Sequence, residues 1–156
     1  MASTTAGPAA PFVSDVLARE GTLWVRAAST SMAPLIRAGD ALRLVPLDHA
    51  GARAGMVVAF RRGDELVVHR VLRCASAGPV TKGDALPEPE APLAPRDLVG
   101  RVVAVRTPRG RTRRLDGPVS ARVERWLAAL AARAPRHPMA WKAHRLPFHL
   151  LALVRR

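Results

Sequence analysis

A mainly β domain flanked by helical segments is predicted by three observations. Across residues 22–107 the apolar residues fall in short, β-branched runs broken by Gly, Pro and Asp, the pattern of strands and turns rather than helices. The 156-residue length suffices for one domain with a real core and falls short of two ordinary ones. After Arg106 the character changes to a basic linker followed by apolar residues at helical spacing. The chain therefore divides into an N-terminal segment with a short helix (1–21), a β domain (22–107) and a basic, partly helical C-terminal extension (108–156).

Taken in order, Phe12-Val13-Ser14-Asp15-Val16-Leu17-Ala18-Arg19 predicts a helix around 12–20 that covers one side of the β domain. Strands are expected near 22–29, 41–46, 55–61, 65–73 and 98–106. Arg61-Arg62-Gly63-Asp64, between two Val-rich runs, is a tight hairpin signal, because Gly-Asp tolerates the positive φ such turns need. Pro87, Pro89, Pro92 and Pro95 fix φ and withhold ladder donors, so 84–97 reads as loop. Cys74, in an apolar run, reads as a small core residue rather than a nucleophile, and a single cysteine excludes an internal disulfide. The linker 108–114 is followed by Val119, Val123, Trp126, Leu127 and Leu130 at helical spacing over 118–134. Two placements remain open for that helix, packed on its own domain or presented to a membrane or partner. Residues 137–156 mix Trp141, Phe148 and Leu151 with Lys142 and Arg145, a composition suited to an interfacial helix, although Pro138 and Pro147 interrupt it.

Charge separates the two halves. The formal net charge is +13, yet residues 1–100 hold 11 basic against 10 acidic side chains while residues 101–156 hold 14 against 2. The tail therefore suits an acidic partner, with an anionic membrane surface met through residues 118–156 as the expectation. Nucleic-acid binding is the rival that the Arg-rich run suggests; without a helix-turn-helix or zinc pattern, no specific nucleic acid is expected. Residues 1–11 lack a basic n-region and an apolar h-region, and no run reaches the roughly 18 apolar residues of a membrane span. A cytoplasmic location, with peripheral attachment at the inner membrane surface, is the resulting expectation. His137, His144 and His149 sit in a basic tail without carboxylates or i, i+4 spacing, so neither metal nor cofactor is predicted.

Three strings carry chemistry: Ser29-Thr30-Ser31-Met32-Ala33-Pro34, Val67-Val68-His69-Arg70-Val71 and Thr81-Lys82-Gly83-Asp84. A serine hydroxyl becomes a nucleophile only when a base in hydrogen-bond reach takes its proton, and Ser31 and His69 are the candidate pair. Strand alternation puts His69 on the face of Val67 and Val71, with Val68 and Arg70 opposite. That partly desolvated setting favours the neutral imidazole a general base needs. Lys82 is the alternative base, which would require a buried lysine of lowered pKa.

In this order and spacing the strings resemble the type I signal peptidase family, in its Ser-His rather than Ser-Lys branch, over about residues 22–106. The resemblance implies a coiled, partly open β-barrel of the kind shared with repressor-cleaving peptidases. It implies Ser31 as nucleophile, Ser29 and the Ser31 N–H as oxyanion donors, and Met32 and Pro34 as residues shaping the turn and substrate pocket. It also implies a carboxylate six residues after Asp84 that orients the histidine. That position holds Glu90, where the family usually has Asp; Asp84 itself and Glu88 stay open for the same role. The implied activity is endoproteolysis of a signal or leader peptide from a precursor, through an acyl-enzyme. A peptidase-like barrel that has lost activity and serves as a binding module is the rival reading. The family's usual membrane anchor is not expected here.

Overall fold

The computed structural model describes residues 9–132. Its elements in chain order are α1 (Ala10–Glu20), β1 (Leu23–Arg26), β2 (Ala41–Pro46), β3 (Val57–Arg62), β4 (Glu65–Ala75), β5 (Gly78–Lys82), β6 (Leu98–Arg106), β7 (Thr112–Arg114) and α2 (Pro118–Ala132). The cationic segment 137–156 and its three histidines lie outside the described residues, as do residues 1–8. No helix among the described residues is long and apolar enough to cross a membrane.

All seven strands form one antiparallel sheet, in the order β1-β2-β6-β3-β4-β5 with β7 added beside β6. The sheet is not closed, for β1 pairs with β2 alone and β5 with β4 alone. Its register slips at Arg43/Leu44, at Ala59/Phe60 and at Val71/Arg73. Irregularities of this kind bend a strand and increase its twist, curling a sheet rather than leaving it flat. The curl brings the two ends of the strand order toward each other: the segment after β5 bonds the segment after β1, through the Ala85 N–H to the Ser31 carbonyl at 2.8 Å.

The apolar core lies on both faces of this curled sheet. Helix α1 buries Ala10, Val13 and Leu17, one stripe at helical spacing, against Leu42, Leu44, Val57, Ala59 and Val102. Val58, Phe60, Val71 and Leu93 form a second cluster, joined by Val67. Helix α2 makes the third, with Leu127 and Ala131 against Leu35 and Leu72. Of the residues placed at helical spacing in 118–134, Val123, Leu127 and Leu130 pack on the domain, while Trp126 is 52% exposed on the other side. The approach is close enough to require glycine: a Cβ on Gly55 would come within 2.7 Å of the Arg125 backbone nitrogen.

Strands β2, β3, β4 and β6 fall within two residues of their expected places, while β1 is shorter. Two strands are additions. β5 contains Pro79, which an interior strand excludes but an edge strand accepts, since its missing N–H can face away from the ladder. β7 lies inside the Arg-rich stretch read as linker, where three residues extend the pairing of β6. Cys74 is a correction: it is exposed near the end of β4, its Sγ donating to the Ala52 carbonyl at 3.3 Å, because the apolar run passes out of the core after Leu72.

Candidate active site

The serine turn is docked from three directions. It follows β1 and is tied internally by the Ala33 N–H to Thr30 carbonyl bond at 2.9 Å and the Ile36 N–H to Met32 carbonyl bond at 3.0 Å. Met32 is 3% exposed within the α1-covered core, Pro34 is buried, and Leu35 packs on α2. Arg113 of β7 holds the turn's far side by donating to the Leu35 carbonyl at 2.7 Å. Met32 therefore acts as an anchor that fixes where Ser31 projects, and its Sδ also meets the Asp84 N–H at 3.5 Å.

Ser31 is partly exposed and Ser29 exposed, which leaves both open to a substrate. Their hydroxyl oxygens are 3.1 Å apart, and the Ser31 N–H points to the Ser29 Oγ at 3.5 Å. The Ser31 amide thus points at the Ser29 hydroxyl, which itself lies beside the Ser31 Oγ.

His69 comes to the same place from the middle of β4. A Cβ built on Gly83 would lie 2.7 Å from the Ser31 carbonyl oxygen and 3.0 Å from His69 Nε2. The Ser31 backbone carbonyl and the Nε2 edge of His69 therefore both border the space beside Gly83, and a side chain at that position would collide with them. The imidazole is almost fully enclosed, edge-on to the Phe60 ring with centroids 5.9 Å apart.

The other ring nitrogen, Nδ1, is 2.9 Å from Glu90 Oε2. That oxygen also accepts from Thr81 Oγ1 at 2.6 Å, and the Glu90 N–H donates to the Thr81 carbonyl at 2.8 Å. Glu90 Oε1 forms an ion pair with Arg62. With Nδ1–H donating to a paired carboxylate, Nε2 is left as the lone-pair nitrogen, on the side of Gly83. Burial and the Arg62 charge push the His69 pKa down to about 4 from an ordinary 6.5, against an upward pull from Asp84. At neutral pH the ring is then neutral and able to accept a proton.

Of the carboxylates considered for orienting His69, Glu90 is the one in contact. Asp84 is turned to Arg70, whose Nε and Nη2 meet its two oxygens at 2.9 and 2.7 Å while Nη1 donates to the Gly55 carbonyl at 2.9 Å. Arg70 and Asp84 are each 2% exposed. Burial opposes the Arg70 charge, but Asp84, with Glu124 beyond it, outweighs burial and holds the pKa above its ordinary value. The pair pins the β4 backbone beside His69 to the loop that carries Gly83. Glu88 is exposed, and it reaches this region only as a charge acting on Lys82.

Lys82 is buried, and burial lowers its pKa against the pull of Asp84 and Glu88. Register decides its orientation: Lys82 pairs with Arg70 and Thr81 with Val71, so Thr81 shares the His69 face and Lys82 the Arg70 face. The sequence reading did not assign a role to Arg62 or Thr81. A cross-strand argument could have found Thr81, because a residue opposite Val71 lies on the His69 side; Arg62 stands at the hairpin end of β3, where its string signalled only a turn.

The Arg62 contact makes a testable statement. Removing the cation in Arg62→Ala leaves Glu90 unneutralised beside Nδ1 and removes a repulsion from the imidazolium. The His69 titration midpoint is expected to rise by about one unit, followed by NMR of its ring resonances. An unchanged or lowered midpoint would contradict the arrangement.

Among the described residues, no group of three or more His, Cys, Asp and Glu side chains has the geometry to hold a metal ion. Comparison of the chain with family models, with curated proteins and with solved structures returned no match.

Proposed function

We propose that this chain is a serine endopeptidase resembling signal peptidase, cleaving a signal or leader peptide from a precursor by a Ser-His mechanism. The observation that carries the reading is that the Ser31 backbone carbonyl and the Nε2 edge of His69 border the same glycine, Gly83, with Nδ1 held by Glu90. On this reading the curled, unclosed sheet is the partly open barrel of that peptidase type, with the site where its two ends approach.

In the reaction, Ser31 Oγ attacks the scissile carbonyl as His69 Nε2 takes its proton. Glu90 keeps the imidazole in the Nδ1–H tautomer and stabilises the imidazolium that forms, while Thr81 and Arg62 position Glu90. Charge growing on the carbonyl oxygen is met by the Ser31 N–H and the Ser29 hydroxyl; one such donor is worth about 3 kcal/mol in the transition state. His69 then returns its proton to the leaving amine, and water releases the acyl-enzyme by the reverse sequence. The substrate lies extended beside β1, whose outer edge leads directly into Ser29 and which has no second strand partner among the described residues. Met32 and Pro34 shape the turn that carries Ser31.

The test is digestion of a proteome-derived peptide library with sequencing of the new termini by mass spectrometry. The resemblance implies cleavage after small residues at positions −1 and −3, which is expected with the wild-type chain and is absent with Ser31→Ala. A library left intact by the wild type, or cut equally by both proteins, would overturn the proposal.

A further inference from the structure

A pocket of about 510 Å³ opens on the far side of the serine turn, between that turn and the β6–β7 hairpin. Four of the side chains around it are arginines, Arg37, Arg109, Arg111 and Arg113, against one carboxylate, Asp40. Asp40 Oδ2 accepts the backbone N–H of Arg37 at 2.9 Å within its own turn, so the lining holds one carboxylate against four guanidinium groups. Arg113 is directed to the Leu35 carbonyl, and Arg37 Nε to the Pro34 carbonyl at 3.4 Å. Among the described residues no carboxylate forms an ion pair with Arg37, Arg109 or Arg111.

Like charges gathered around a concave, partly apolar wall repel one another unless a counter-charge enters. Guanidinium groups present paired N–H donors that match the oxygens of a phosphate, and a pocket of this volume falls in the range of small-ligand sites. From this convergence we infer that the pocket is a binding site for a phosphate-bearing ligand about the size of a lipid headgroup or a small organic phosphate. The anion sits between Arg37 on the turn and Arg109 and Arg111 on the hairpin, with Arg113 behind them bracing Leu35. Binding is a property of this face of the molecule and does not depend on Ser31 being a nucleophile.

The test uses the full-length chain with two probes, inorganic pyrophosphate by calorimetry and vesicles of phosphatidylglycerol in phosphatidylcholine by co-sedimentation. Arg109→Gln/Arg111→Gln is compared with Arg122→Gln/Arg125→Gln, which removes the same charge from exposed positions on α2 outside the pocket lining. Saturable pyrophosphate binding is expected, weakened about tenfold or more by the hairpin pair and unchanged by the α2 pair. The vesicle arm separates the two sources: binding lost with the hairpin pair and competed by pyrophosphate identifies a lipid headgroup, and vesicle binding indifferent to that pair identifies a soluble phosphate. No pyrophosphate binding, or equal weakening by both pairs, would overturn the inference, since the second result reports net charge alone. Circular dichroism of each variant confirms that the exposed substitutions leave the fold in place.

Discussion

Asp84→Ala is expected to destabilise the protein by about 3–5 kcal/mol, read as a drop in the denaturant midpoint at unchanged slope. The reason is the guanidinium it would strand. Arg70 is enclosed, and two of its nitrogens meet the Asp84 carboxylate. The remaining bond to the Gly55 carbonyl cannot compensate a full charge in a low-dielectric surrounding. The double variant Arg70→Met/Asp84→Leu removes both charges and is expected to recover most of the loss, because apolar replacement of a whole buried pair is often close to neutral. A loss below about 1 kcal/mol in the single variant would show that Asp84 is not structural in this way. Retained stability together with a collapse of Ser31 reactivity would instead make Asp84 the residue that orients His69.

The second large effect falls on reactivity. His69→Ala is expected to slow acylation of Ser31 by about 10³-fold, the scale of a lost general base. The pH dependence carries the more particular signature. Only the neutral imidazole can accept the serine proton, so the rate falls as pH drops through the His69 pKa. Burial and Arg62 place that value at about 4 rather than 6.5. Wild-type acylation should therefore be flat from pH 8 to near 5 and halve near 4. A profile that halves near 6.5 would mean that His69 is solvated as an ordinary surface histidine, and a rate indifferent to His69→Ala would remove it as the base.

The sequence shows the sheet more readily than the environment of its polar residues. Short Val-rich runs with Gly and Asp between them mark β3, β4 and β6 because each packs an apolar face against a core cluster, and that demand is written locally. β5 escapes the same reading because Pro79 and Gly78 signal a turn, and only its place at the sheet edge makes them tolerable. β7 escapes because three arginine-rich residues pair by backbone alone. At the site, Ser31 and His69 stand out by the strings they occupy, whereas Glu90 follows only from what the resemblance implies, six residues after Asp84. Whether Asp84 or Glu90 faces His69 depends on where Arg70 points, and strand alternation could say only that Arg70 lies on the opposite face. Arg62 on β3 and Thr81 on β5 contact Glu90 in the loop after β5, a convergence that no spacing along the chain encodes. Helix α2 is a similar case: its periodicity is plain, but its partner depended on Leu35 and Leu72, which lie far upstream.

The central claim is that Ser31 and His69 form a working nucleophile and base, and the most direct measurement is covalent labelling. The purified protein would be treated with a fluorophosphonate, and the adduct counted by intact mass and located by peptide mapping, in wild type, Ser31→Ala and His69→Ala. One adduct per chain on Ser31, absent in Ser31→Ala and slowed by about 10³-fold in a folded His69→Ala protein, is the predicted result. Failure of several serine-directed electrophiles to label the folded wild-type protein, or labelling on a different residue, would contradict it.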